Sequence, residues 1–96
     1  MSKRIENPML CDLSKALLAL KTEDECINFL NDLLSINEMN AISQRWQVAV
    51  MLRSGAKYSD ICESTGASSA TISRVSKCID NGEGGYATLL DRLYPR

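Results

Sequence analysis

Tyr58-Ser59-Asp60-Ile61-Cys62-Glu63-Ser64-Thr65-Gly66-Ala67-Ser68-Ser69-Ala70-Thr71-Ile72-Ser73-Arg74-Val75 has the anatomy of a helix-turn-helix. Two short helices cross at a steep angle only where the residue at their contact is small, and Cys62 supplies that. The turn between them needs a residue free to take a positive φ, and Gly66 supplies it. Ile61, Ala67, Ile72 and Val75 then form the apolar inner side, and Ser68 can cap the second helix and stands with the candidate DNA contacts at its N-terminus. What remains outward on that helix is Ser69, Ala70, Ser73, Arg74 and Lys77, all small, polar or basic.

That outward set fits duplex DNA. A helix in the major groove must bring its backbone close to the bases, and small side chains at its N-terminal end permit this. Serine hydroxyls can donate to or accept from a base edge, an alanine methyl can touch a thymine methyl, and a helix N-terminus favours phosphate. The charge distribution agrees. Residues 43–78 hold Arg45, Arg53, Lys57, Arg74 and Lys77 against Asp60 and Glu63, a local balance of +3, while residues 1–42 carry −3 and residues 79–96 carry −1. The overall charge of −1 therefore hides a basic segment on an acidic body. The competing interpretation of the same pattern is a helical hairpin for protein contacts, its serines and arginine merely solvated.

Outward from this segment the chain reads as helices in series. Asn7-Pro8 offers a cap and a first-turn proline, and Leu10, Leu13, Leu17, Leu18 and Leu20 follow at helical spacing, predicting a helix over about 9–20. Thr22-Glu23-Asp24-Glu25 is a capping box with an acidic first turn, opening a second helix over about 23–34. Ser35-Ile36-Asn37-Glu38 repeats the signal for a third, whose apolar face is Met39, Ile42, Trp46, Ala49, Val50 and Leu52 and whose end is Gly55. The motif helices follow, the second through Cys78 and Ile79 to Asn81-Gly82, and Tyr86–Leu93 forms the last. Six short helices without a strand make the fold all-α. At 96 residues this is one domain, read as 9–96 behind a flexible N-terminal arm of residues 1–8. The first two helices are apolar on more than one face, as in Cys26-Ile27-Asn28-Phe29-Leu30-Asn31-Asp32-Leu33-Leu34. So small a domain needs a second surface for them, which predicts a homodimer.

Composition narrows the chemistry. With no histidine the commonest general base, the commonest zinc ligand and the histidine-activated nucleophiles are all missing, so no catalytic residue and no enzyme activity are expected. Cys11, Cys26, Cys62 and Cys78 contain no C-x-x-C pair, and the expectation is four buried thiols in helix faces rather than a metal site or a disulfide framework. No apolar run is long enough for a membrane span and none follows the N-terminal charges as in a signal peptide, which points to the cytoplasm.

Three runs on this scaffold carry a resemblance: Asn40-Ala41-Ile42-Ser43-Gln44-Arg45-Trp46, then Leu52-Arg53-Ser54-Gly55, then Thr65 to Val75. Together they resemble the Trp repressor family, most closely its Trp-repressor-like YerC/YecD branch, to which the tail Asp80-Asn81-Gly82-Glu83-Gly84-Gly85-Tyr86 is also similar. The likeness spans about residues 10–93. It implies an intertwined homodimer in which the first three helices and the last interlock across the two-fold axis and two reading heads project. It further implies base-edge positions at Ser69, Ala70 and Ser73, a phosphate contact at Thr71, and secondary phosphate contacts at Lys57, Tyr58 and Ser59. A two-fold dimer implies a roughly palindromic operator with half-sites about 34 Å apart.

In that family an amino-acid corepressor lies between two arginines, and Arg45 and Arg74 stand at those places. Val75 stands where the family has a glycine that makes room, and Cys78 where it has a serine that helps hold the amino group. Ser35, beside Leu34, matches the remaining wall only loosely. A branched side chain in the slot and a lost hydroxyl argue against tryptophan, so no cofactor is expected. Trp46 reads as core rather than as a ligand mimic. The resulting expectation is a dimeric, sequence-specific double-stranded DNA-binding regulator, a repressor if the family pattern holds. The alternative is a helical interaction module docking on the transcription machinery.

Overall fold

The computed structural model describes Arg4 and residues 6–96. Residues 1–3 and 5 of the expected arm lie outside the described residues. Six helices and no strand are formed among the described residues: α1 (Pro8–Ala19), α2 (Glu23–Leu33), α3 (Ile36–Arg53), α4 (Tyr58–Thr65), α5 (Ser69–Asn81) and α6 (Gly85–Leu93). Backbone contacts group them into two units, Arg4–Asn40 and Ala41–Arg96, with α3 running through the junction.

In the first unit the helix starts are the ones the local chemistry dictates. Asn7 Oδ1 accepts the Leu10 N–H at 2.8 Å, and Pro8 occupies the first turn, one residue inside the expected arm. Thr22 Oγ1 accepts the Glu25 N–H at 3.1 Å, and the Glu25 carboxylate reaches back to the Lys21 N–H at 2.9 Å. Ser35 and Glu38 complete a reciprocal box: Ser35 Oγ accepts the Glu38 N–H at 3.2 Å and Glu38 Oε1 accepts the Ser35 N–H at 2.9 Å. That backbone N–H, and after it the Ser35 hydroxyl, hold the Glu38 carboxyl below its ordinary pKa. Neither α1 nor α2 buries a residue. Met9 and Leu18 are at least 80% exposed, and Leu10, Leu17, Ile27, Leu33 and Ile36 are exposed as well.

The second unit owns the core. Val48, Ala49, Ile61, Ala67, Ile72, Val75 and Leu90 are buried and cluster together, with Trp46, Val50, Met51, Leu52, Cys62, Ile79 and Tyr86 packed around them. Val48 was not singled out by the apolar pattern of α3, yet it is fully buried, whereas Ile42 from that pattern is exposed. Burying a Val, Ile or Leu side chain stabilises a fold by roughly 1.5–3 kcal/mol, so Val48, Ile61, Ile72, Val75 and Leu90 carry most of this unit. At the end of α3, Arg53 Nη2 donates to Asp91 Oδ1 on α6 at 2.5 Å, while its Nε is buried without a partner.

The cysteine expectation is corrected. All four thiols are free, but Cys26 and Cys62 are only half-buried and Cys11 and Cys78 are exposed. The reason is local: α1 has no neighbour that encloses it, and Cys78 faces a cavity rather than packed side chains. Trp46 is likewise half-buried rather than fully enclosed. Its indole stacks on Tyr86 with ring centroids 6.3 Å apart and planes 5° from parallel.

Candidate nucleic-acid interface

The motif is assembled by a chain of short hydrogen bonds at its turn. Gly66 ends α4 at φ 76°, ψ 2°, the left-handed conformation that side-chain-bearing residues avoid, and its N–H closes on the Cys62 carbonyl at 2.9 Å. Thr65 Oγ1 donates to the Ile61 carbonyl at 2.7 Å and accepts the Ala67 N–H at 3.1 Å, so one hydroxyl spans the corner. From α3, Gln44 Nε2 donates to the Thr65 carbonyl at 3.1 Å. Ala67 then drops into the core, 4% exposed, and fixes the second helix against the first.

Helix α5 starts on Ser68, whose Oγ accepts the Thr71 N–H at 3.1 Å and donates to Thr71 Oγ1 at 3.1 Å. Ile72 and Val75 lie in the core. On the opposite side Ser69, Ala70, Arg74 and Lys77 are exposed, while Thr71 and Ser73 are half-buried. Spacings of four residues align Ser69 with Ser73 and Lys77, and Ala70 with Arg74, on adjacent rows of one face. Ahead of α4, Lys57 precedes the helix and Tyr58 and Ser59 open it, all three exposed.

The residues considered for an effector pocket fare differently. Val75 is 1% exposed and belongs to the core, while Arg45 and Arg74 are exposed. Cys78 lines a cavity of about 600 Å³ with Trp46, Gly82, Glu83, Gly85, Tyr86 and Leu89. Burial pushes the Tyr86 phenol up, against the pull of the Arg45 charge, with Cys78 adding to the rise. Ser35 belongs to the other unit, where its hydroxyl and N–H are engaged with Glu38. Among the described residues no group of three or more histidine, cysteine, aspartate or glutamate side chains could hold a metal ion, and no helix is long and apolar enough to cross a membrane.

Two features escaped the residue pattern. Gln44 sits in a run noted only for its likeness, and its bond to a carbonyl twenty-one residues on has no local signature. Tyr86 and Leu89 read simply as apolar residues of the last helix, without any sign that they line a cavity.

A six-helix chain with a glycine-turned helix pair and a two-sided second motif helix is the architecture of a helix-turn-helix regulator family, and residues 9–94 match the Trp repressor protein family, to which the chain belongs. Among its relatives, the uncharacterised protein YerC of Bacillus subtilis (strain 168) is 43% identical over 90 residues, covering 94% of this chain and 86% of YerC. A crystal structure of a candidate Trp repressor from Staphylococcus aureus superposes with a TM-score of 0.87 at 40% identity, over 95% of this chain and 91% of that one. A TrpR-like protein from Eubacterium eligens ATCC 27750 gives 0.86 at 44% identity, over 92% and 91%.

Proposed function

We propose that the chain is a sequence-specific double-stranded DNA-binding transcriptional regulator, a repressor, acting as a cytoplasmic homodimer through α4 and α5. The observation that carries this reading is the two-sidedness of α5. Its inner residues Ile72 and Val75 are locked in the core, so the outward Ser69, Ala70, Ser73, Arg74 and Lys77 are presented on a rigid element. Ser69, Ala70 and Ser73 approach base edges. Thr71 contacts a phosphate through its hydroxyl, which Ser68 holds from the cap. Arg74, Lys77, Lys57, Tyr58 and Ser59 contact the flanking backbone. Specificity then comes from short side chains, water and DNA shape rather than from long side chains reaching for bases.

The dimer half of the proposal is supported by the apolar side chains that α1 and α2 leave exposed. Within the proposal no tryptophan corepressor is bound, since Val75 occupies the core where a ligand would need space and Cys78 brings a thiol in place of a hydroxyl. A melting temperature raised by micromolar tryptophan would overturn that clause.

The test is a gel-shift series on random and promoter-derived duplexes at several ionic strengths. Binding should weaken steeply with salt, and Arg74→Ala and Lys77→Ala should each lower the salt slope by about one. No shift with any duplex at low salt, together with no effect of either substitution, sinks the DNA reading in favour of a protein-docking module.

A further inference from the structure

We propose that Gln44 is a positioning residue for the reading head: its amide, reaching from α3, holds the turn between α4 and α5 and thereby sets the orientation of α5 toward DNA. The consequence for binding rests on the DNA-binding reading above; the clamp itself does not. Three observations meet at this point. Gln44 is half-buried, and its Nε2 donates to the Thr65 carbonyl at 3.1 Å, at the end of α4 where the helix no longer supplies a partner for that oxygen. Thr65 is also the residue whose hydroxyl joins Ile61 to Ala67, so the Gln44 amide grips the residue on which the corner is built. A Cβ placed on Gly66 would come to rest 3.8 Å from Gln44 Nε2, so the amide also lies against the open side of the turn.

Apolar packing alone leaves this corner underdetermined. Ile61, Ala67, Ile72 and Val75 press α4 and α5 together and toward α3, but hydrophobic contact is non-directional and tolerates small rotations. A hydrogen bond prefers one distance and one angle. Placed at the vertex of the helix pair, it resists rotation of the pair about α3, and a small rotation there would carry the start of α5 away from the base edges. Phosphate contacts by flexible lysines and arginines would follow the rotation. The short hydroxyls of Ser69 and Ser73 could not.

The experiment uses two substitutions in the full chain. Gln44→Met keeps the shape and loses the donor; Gln44→Glu keeps the shape and sets a carboxylate against the Thr65 carbonyl. Amide hydrogen exchange should quicken at Gly66 and Ala67 by about tenfold in Gln44→Met and more in Gln44→Glu, with the buried amides of α6 unchanged. For a duplex selected by the unsubstituted protein from a random library, the ratio of selected to random affinity should fall by about tenfold, while random-duplex affinity and the salt slope stay constant. Unchanged exchange at the turn overturns the proposal, as does an affinity ratio equal to that of the parent chain. If the parent chain binds no duplex, the DNA reading fails while the exchange result still decides whether Gln44 holds the turn.

Discussion

Residues 6–40 and 41–96 share side-chain helix caps, although α4 and α6 start without one, and their helices end in opposite states. Asn7, Thr22 and Ser35 cap their helices as competently as Ser68 caps α5. Yet among the described residues all seven buried hydrophobic ones lie in the second unit, while α1 and α2 enclose none. Capping satisfies a few backbone groups near the chain; burial requires a facing surface. The difference teaches that local helix signals are independent of tertiary completeness. A well-started helix with leucines on several sides still lacks the facing surface that burial requires.

The comparison can be broken most decisively through the exposed leucines. Leu17→Lys with Leu18→Lys should convert a homodimer to monomer in sedimentation velocity and abolish selected-duplex binding. An unchanged sedimentation coefficient at dimer size would remove the pairing assigned to α1. Next in size is the core of the other unit: Ile61→Ala should cost about 2–5 kcal/mol in denaturant unfolding, with loss of helix content concentrated in residues 41–96. A cost under 1 kcal/mol would mean that this core is not what holds the motif together. Smaller again is Gly66→Ala, expected to cost about 1–2 kcal/mol because the turn sits at φ 76°. Asp91→Ala, which leaves the Arg53 guanidinium without its α6 partner, should cost about 1 kcal/mol and be insensitive to salt compared with a fully exposed pair.

The smallest effect belongs to the first unit. Glu38 has its folded pKa depressed, so the stability it lends to the start of α3 is present above its unfolded value and disappears as pH falls through the lower folded one. The protection factor of the Ser35 amide, its exchange rate relative to the intrinsic rate at each pH, should fall across that window on acidification, whereas a Glu38→Gln chain should show a flatter profile.

The sequence made the helix-turn-helix legible down to individual positions because its signals are local: Ile61, Ala67, Ile72 and Val75 follow from periodicity, Gly66 from turn geometry and Ser68 from capping. All six helices were readable for the same reason, with ends displaced by a residue or so. Burial within the remaining helices was not. Val48 lies outside the stripe assigned to α3, and Cys11 and Cys78 look like small core residues when only their neighbours in sequence are considered. Their surroundings depend on what the rest of the chain brings alongside. The Gln44 bond illustrates the limit, since a contact across twenty-one residues leaves no periodic trace. Arg53 and Asp91 are further apart still.

Helix α5 places packing and exposure on interleaved registers, with Ile72 and Val75 turned inward and Ser69, Ala70, Arg74 and Lys77 turned outward. No side chain among these has to serve both. On the DNA-binding function proposed above, a substitution on the outer rows leaves the packed rows untouched, so the preferred operator is free to drift while the core keeps its packing. In evolutionary terms the outer face is a free parameter, and the core beneath it is what keeps it free.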